Sequence, residues 1–171
     1  MDLDDFFHVG VIVDDFDAKI SALGRELGLA WSPIIDVDIT MWTRDHGRRS
    51  FRARAIFSVQ HPHIELVEAV PDTPLTVKAG RPIHHFGYWT DNLERDSDAL
   101  ASAGWPKIMC AEHEGRMFGI AYHQRPDGLI VELVDRSCYA DWNAFLAGKI
   151  EHEVIVPDAP NEGSGRSIGK T

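Results

Sequence analysis

The feature that most constrains this chain is that it repeats itself. The segment HVGVIVDDFDAKISAL (8–23) aligns without gaps on HFGYWTDNLERDSDAL (85–100). His8 falls on His85, Gly10 on Gly87, Asp14 on Asp91 and Leu23 on Leu100, all at one offset of 77 residues. Each copy ends on a second matched segment, IELVE (64–68) in the first and VELVD (131–135) in the second, at an offset of 67. The second copy is therefore ten residues shorter between helix and last strand, a difference loops absorb at little thermodynamic cost. A fold built from this chain must be a pair of like units.

Each unit predicts the same order of elements. An extended apolar start (FHVGVIV; HHFGYWT) reads as a strand. Residues that cap helices follow (Asp14, Asp15; Asp91, Asn92), then an apolar stripe at helical spacing: Phe16, Ile20, Leu23, Leu27, and Leu93, Leu100, Ala103. Three strand-like stretches complete each copy, near 35–43, 50–60 and 63–69, then 107–112, 117–124 and 129–135. Turn signals separate them at Asp45-His46-Gly47, His61-Pro62 and Pro126-Asp127-Gly128. The expectation is an α+β fold of two βαβββ modules, residues 1–75 and 82–136, forming a curved mixed sheet. Residues 137–155 form a helix-like extension that places Tyr139, Trp142, Phe145 and Leu146 on the core. The Pro-, Gly- and Ser-rich stretch 156–171 reads as a disordered tail.

Strand alternation selects the functional residues. His8 shares a face with Gly10 and Ile12, and His85 with Gly87 and Trp89. Glu65 and Glu132 each lie between apolar neighbours that point the other way. A carboxylate in such a strand is costly unless it is paired or binds a metal. Two histidines and two carboxylates in register predict one site for a single divalent metal ion, with His8, Glu65, His85 and Glu132 as ligands and Zn, Ni, Co, Mn or Fe as the ion. His84 competes with His85, and the repeat favours His85. His63, on the face of Glu65, lines the pocket or replaces a ligand. Trp89, Phe118 and Tyr122 are candidate pocket walls, and core packing is the alternative for all three.

Composition removes several partner classes. A net charge of −10 and a pI near 5.2 argue against nucleic acid, which needs clustered Lys and Arg. Arg48, Arg49, Arg52 and Arg54 do cluster, either as a solvated strand face or as a grip on an acidic substrate. Cys110 and Cys138 form no CxxC pair. No apolar run approaches the roughly 18 residues of a membrane span, and MDLDDFF lacks a secretory n-region, so a cytoplasmic protein is expected. GSGRSIGKT, at the end, fails as a phosphate loop because Ser164 stands where Gly is required.

The pieces FHVGVIVDD, LGLAW (27–31), HIELVEAVPDTP (63–74), IHHFGYWTDN (83–92) and DGLIVELVD (127–135) together resemble the vicinal oxygen chelate superfamily. Glyoxalase I, methylmalonyl-CoA epimerase, extradiol dioxygenases and bleomycin-resistance proteins belong to it. The opening and LGLAW look closest to the glyoxalase and epimerase-like branch. The resemblance implies paired βαβββ modules around a metal held by His8, Glu65, His85 and Glu132. Epimerases of this kind commonly carry Gln where Glu65 stands, so the donor set is more similar to that of bacterial glyoxalase I.

The implied activity is an isomerase, epimerase or lyase reaction, by proton abstraction next to a carbonyl through a metal-stabilised enediolate. Glu132 is the leading ligand-plus-base and Glu65 the opposing acid/base. The partner is a small-molecule substrate, and a homodimer is compatible with the resemblance. An iron-dependent extradiol-type dioxygenase and a non-catalytic binding or resistance protein are the alternatives.

Overall fold

The computed structural model describes residues 2–150, and their chain order is the one the repeat predicts. In the first module β1 (Phe6–Val13) leads into α1 (Phe16–Leu27), followed by β2 (Ile35–Thr43), β3 (Gly47–Phe57) and β4 (His63–Glu68). In the second, β5 (His85–Thr90) leads into α2 (Leu93–Ser102), then β6 (Lys107–His113), β7 (Arg116–Gln124) and β8 (Ile130–Asp135). A 3-10 turn (Arg136–Cys138) and the short helix α3 (Trp142–Leu146) complete the described chain. The tail at 156–171, its phosphate-loop-like end, and residues 151–155 of the extension lie outside the described residues.

The helices start where their caps require. The Asp15 carboxylate accepts from Ala18 N at 3.1 Å, and the Asn92 side chain accepts from Arg95 N at 3.0 Å. α1 ends at Gly28, whose φ of 68° suits the left-handed residue that closes a helix.

The eight strands close into a barrel in the order β1-β4-β3-β2-β6-β7-β8-β5. Two seams join the modules. β1 and β5 run antiparallel, and β2 meets β6 through Met41, Trp42 and Thr43. Within each module the first and last strands pair in parallel, β1 with β4 and β5 with β8. All other pairs are antiparallel, so the sheet is mixed, as expected. One strand departs from its expected bounds by more than a residue. β3 begins at Gly47 rather than 50, because Arg44–His46 suffice for the turn and Thr43 pairs with Gly47. It ends at Phe57 rather than 60, because the Ser58 amide leaves the β2 side to bond Ile64 O at 2.8 Å.

The two faces of the barrel wall have different tasks. Outside, Val13, Ile56 and Leu66 pack on Phe16 of α1, and Cys110, Ala121, Val131 and Leu133 pack on Leu93 and Leu100 of α2. Leu66 and Leu133 are fully buried, each worth about 2 kcal/mol. A one-residue slip of β4 or β8 would exchange those leucines for Glu65 or Glu132, so packing on the helices fixes the register that aims the carboxylates inward.

One end of the barrel is filled by aromatic rings. A bulge between Phe6 and His8 lets both Phe7 and His8 point into the protein. Phe7 then stacks on Trp89 at 3.7 Å between centroids, with Trp142 of the extension edge-on at 5.5 Å. Phe145 and Leu146 of the extension are buried beneath them. Among the described residues no helix is long and apolar enough to cross a membrane.

Candidate metal centre

Four strands bring four side chains to one point inside the barrel. His8 is on β1, Glu65 on β4, His85 on β5 and Glu132 on β8. All four are buried, the histidines completely and the glutamates to 5% and 3% exposure. One donor atom from each lies within 4.8 Å of every other. His8 Nε2 is 3.0 Å from His85 Nε2, 3.4 Å from a Glu65 oxygen and 3.0 Å from a Glu132 oxygen. His85 Nε2 is 3.0 Å from Glu65 and 3.3 Å from Glu132.

Two glycines make this convergence sterically feasible. Across the β1–β5 seam His8 stands opposite Gly87, and His85 opposite Gly10. A Cβ on Gly87 would lie 1.8 Å from the His8 ring, and one on Gly10 1.9 Å from the His85 ring. Each module thus supplies a histidine and the gap that receives the other module's histidine. The sequence signal was present as HVG and HFG at matched positions, but its steric meaning needs the antiparallel register.

Burial opposes the charged form of all four groups, yet they hold one another ionised. For His8, burial is outweighed by Glu65 and Glu132, and its pKa rises. For His85, Glu132 and Glu65 likewise overcome burial and lift it to about 9. Burial and the Glu132 charge push Glu65 up, but the two histidines leave it below the usual carboxylate value. Glu132, despite its burial, falls well below that value beside His85 and His8.

The donor set fits a divalent cation. Metal–ligand distances of about 2.0–2.2 Å place neighbouring donors about 2.8–3.6 Å apart for bond angles between about 90° and 109°, a range that contains the imidazole–imidazole and imidazole–carboxylate separations here. Two imidazolium N–H groups 3.0 Å apart would repel, whereas two lone pairs aimed at one cation would not. Among the described residues, Glu132 Oε2 and His8 Nδ1 are also buried without a hydrogen-bond partner, and a cation would use the first.

A cavity of about 130 Å³ opens beside the cluster. Glu65 and Glu132 form part of its wall, with Phe118, Tyr122, Met41 and Leu75. The Tyr122 phenol is buried, faces both carboxylates and donates to Glu132, so its pKa stands well above the ordinary 10. Phe118 and Tyr122 both line this cavity. Trp89 and His63 are elsewhere. Trp89 belongs to the aromatic end group. His63 places Nδ1 2.7 Å from Ser58 O and accepts from Trp142 Nε1 at 3.3 Å. His84 is next to the cluster but turned away from its centre, with Nε2 on Pro74 O at 2.9 Å. Burial, with His85 alongside, depresses its pKa to about 4.

The arginine cluster is largely self-neutralised. Arg48 pairs with Glu112 at 2.7 Å, Arg52 with Asp36, Arg54 with Asp17 at 2.9 Å, and Arg49 more loosely with Asp72 at 3.7 Å. These contacts support the solvated-face alternative over an anion grip.

Comparison with known proteins agrees with this architecture. The family model described as the glyoxalase/bleomycin resistance protein/dioxygenase superfamily matches residues 7–124. That span holds His8, Glu65 and His85, while Glu132 lies beyond it and is brought in by β8. Among solved structures, a hypothetical protein from Bacillus halodurans is 18% identical, with 80% of this chain and 96% of that one covered and a TM-score of 0.53. A variant methylmalonyl-CoA epimerase from Streptomyces coelicolor, in complex with 2-nitronate-propionyl-CoA, is 17% identical, with 76% and 92% covered and a TM-score of 0.52. At these identities the likeness is one of fold. No curated protein matches the chain.

Proposed function

The chain belongs to the glyoxalase/bleomycin resistance protein/dioxygenase superfamily, and from that premise we propose that it is a metal-dependent enzyme that moves a proton next to a carbonyl group. The reaction class is an isomerisation, epimerisation or lyase step on a small molecule. The observation that carries this reading is the buried His8, Glu65, His85 and Glu132 set on the wall of a cavity. These four residues would hold one divalent ion. When bound, such an ion supplies Lewis acidity that stabilises negative charge developing on a substrate oxygen.

The remaining chemistry belongs to the protein. Glu132 and Glu65 approach the cavity from β8 and β4, on opposite sides of the β1–β5 seam. One carboxylate takes the proton α to the carbonyl and, now a carboxylic acid, delivers that same proton to the neighbouring carbon; for inversion the opposing carboxyl must enter the cycle protonated and deliver its own proton to the other face. Glu132 is the first candidate for base, with Glu65 opposite it. His8 and His85 remain fixed. Met41, Leu75 and Phe118 exclude water from the reacting carbon, and Tyr122 offers a neutral donor beside Glu132. At about 130 Å³ the cavity takes a fragment of a few heavy atoms, since a water occupies about 30 Å³ of liquid. Only the reacting end of a longer substrate would enter.

The test is hydrogen exchange. Protein loaded with Zn, Ni, Co or Mn is incubated in deuterated water with small α-substituted acyl thioesters and α-keto hemithioacetals. Deuterium should enter at the α-carbon, and Glu132→Gln should suppress it. An absence of exchange, with oxygen consumed and a catechol ring opened by the Fe(II) form, would establish the dioxygenase alternative. Binding of a small molecule with neither reaction would leave the resistance-type alternative.

A further inference from the structure

Two facts about His84 lead beyond the four-residue set. His84 Nε2 is 2.9 Å from the carbonyl oxygen of Pro74, and His84 Nδ1 is 3.0 Å from Nδ1 of His85. A carbonyl only accepts, so the hydrogen of the first contact is on His84 Nε2. A neutral His84 then has a bare Nδ1. The second contact needs one hydrogen between two ring nitrogens, and it must come from His85. His85 Nδ1–H therefore donates to His84 Nδ1, and the neutral His85 ring carries its lone pair on Nε2. That is the nitrogen that faces His8, Glu65 and Glu132.

We infer that His84 is a positioning residue: a chain running from Pro74 O through His84 to His85 fixes the tautomer and ring angle of His85, so that its Nε2 is presented to the centre ready to bind a cation. The inference rests on the proposed metal role of His85 and adds the residue that prepares it. Each link is itself held. The Val70–Leu75 turn closes through Val70 N to Leu75 O at 2.8 Å, and Thr73 Oγ1 bonds Val70 O at 2.8 Å and Leu75 N at 3.0 Å. These bonds fix the peptide that carries Pro74 O. The His84 backbone amide donates to Gly10 O at 2.8 Å, which ties His84 to β1 at the glycine beneath the His85 ring. A histidine adjacent in sequence to a ligand is thus spent on holding it.

Outer partners of metal-bound histidines commonly govern metal affinity about 10–100-fold. His84→Leu removes the acceptor. His84→Gln restores both functions, because an amide oxygen accepts from His85 while its NH₂ donates to Pro74 O. Zinc affinity, measured by chelator competition, should fall about 10–100-fold in His84→Leu and recover in His84→Gln. Histidine side-chain ¹⁵N NMR reads the chain directly. In wild-type protein a nitrogen–nitrogen coupling across the hydrogen bond should link His84 Nδ1 with His85 Nδ1, with the hydrogen on His85 and a second hydrogen on His84 Nε2. Equal zinc affinity in wild type and both variants would overturn the inference, and so would a hydrogen found on His84 Nδ1. Wild-type protein that binds no zinc would instead overturn the proposed metal site. The coupling would then be read in metal-free protein, where it decides the hydrogen-bond chain by itself.

Discussion

Around His8 the first module offers aromatic rings; around His85 the second offers hydrogen bonds. The His8 ring meets Phe7 edge-on at 4.3 Å and Phe57 at 5.4 Å, and among the described residues its Nδ1 has no hydrogen-bond partner. The His85 ring is bonded to His84 on one side and meets Tyr122 edge-on at 5.3 Å. The contrast extends to the glutamates. Phe57 stands opposite Glu65 on the neighbouring strand, and Tyr122 stands opposite Glu132 in the corresponding place. Backbone register has stayed the same in both modules while the side chains that tune it have diverged. Placement of the four groups is thus a property of the repeat, and their inequality is a property of each copy.

The comparison can be broken by experiment, starting with the charges themselves. Glu132→Gln leaves two buried histidines facing one carboxylate and should destabilise metal-free protein by about 3–5 kcal/mol in urea denaturation. Glu65→Gln should cost less, because Phe57 and not Tyr122 stands opposite Glu65 on the neighbouring strand; equal losses would mean that Tyr122 does not distinguish the modules. Next come the glycines. Gly10→Ala and Gly87→Ala should each cost about 1–3 kcal/mol and abolish zinc binding, since a ring must leave its place. If one is tolerated, the interlock is one-sided. Tyr122→Phe, which makes the second module like the first, should cost about 1.5 kcal/mol through loss of a hydrogen bond to a charged acceptor. An unchanged midpoint would show that the phenol contributes nothing there.

The smallest effect concerns pH and a histidine remote from the centre. His123 is buried, has Nδ1 2.8 Å from Trp105 O and accepts from Ser97 at 2.9 Å through Nε2. Burial lowers its pKa below the ordinary 6.5. The unfolded chain therefore binds more protons as the medium becomes acidic. The contribution of His123 to stability is complete above pH 6.5 and declines as pH falls below it. His123→Gln should flatten that decline in thermal unfolding measured from pH 7.5 to 5.5, and an unaltered slope would refute the assignment.

The sequence carried placement well and hydrogen bonding poorly. Matched offsets bring His8, Glu65, His85 and Glu132 to equivalent strands without any coordinates. Alternation also assigns Phe118 and Tyr122 inward, and both line the cavity. It does not say how far along the barrel a residue lies, and Trp89 and His63, also assigned to the pocket, lie near Trp142 at the aromatic end. The bulge that turns Phe7 inward onto Trp89 has no signal in an alternating pattern. His84 could be read as a rival ligand because its partner, Pro74 O, is a backbone atom and leaves no trace in residue identity.

The crossed histidines and glycines have a consequence for assembly. Neither half of the chain contains a complete binding motif, and neither can display its imidazole correctly until the other half has docked. Separately produced halves should each be inert, and mixing them should restore zinc binding only at concentrations that rebuild the barrel. Occupancy of the centre would then be a reporter of correct pairing between the two repeated halves, so substitutions near either glycine would be filtered by the partner strand before any substrate is met.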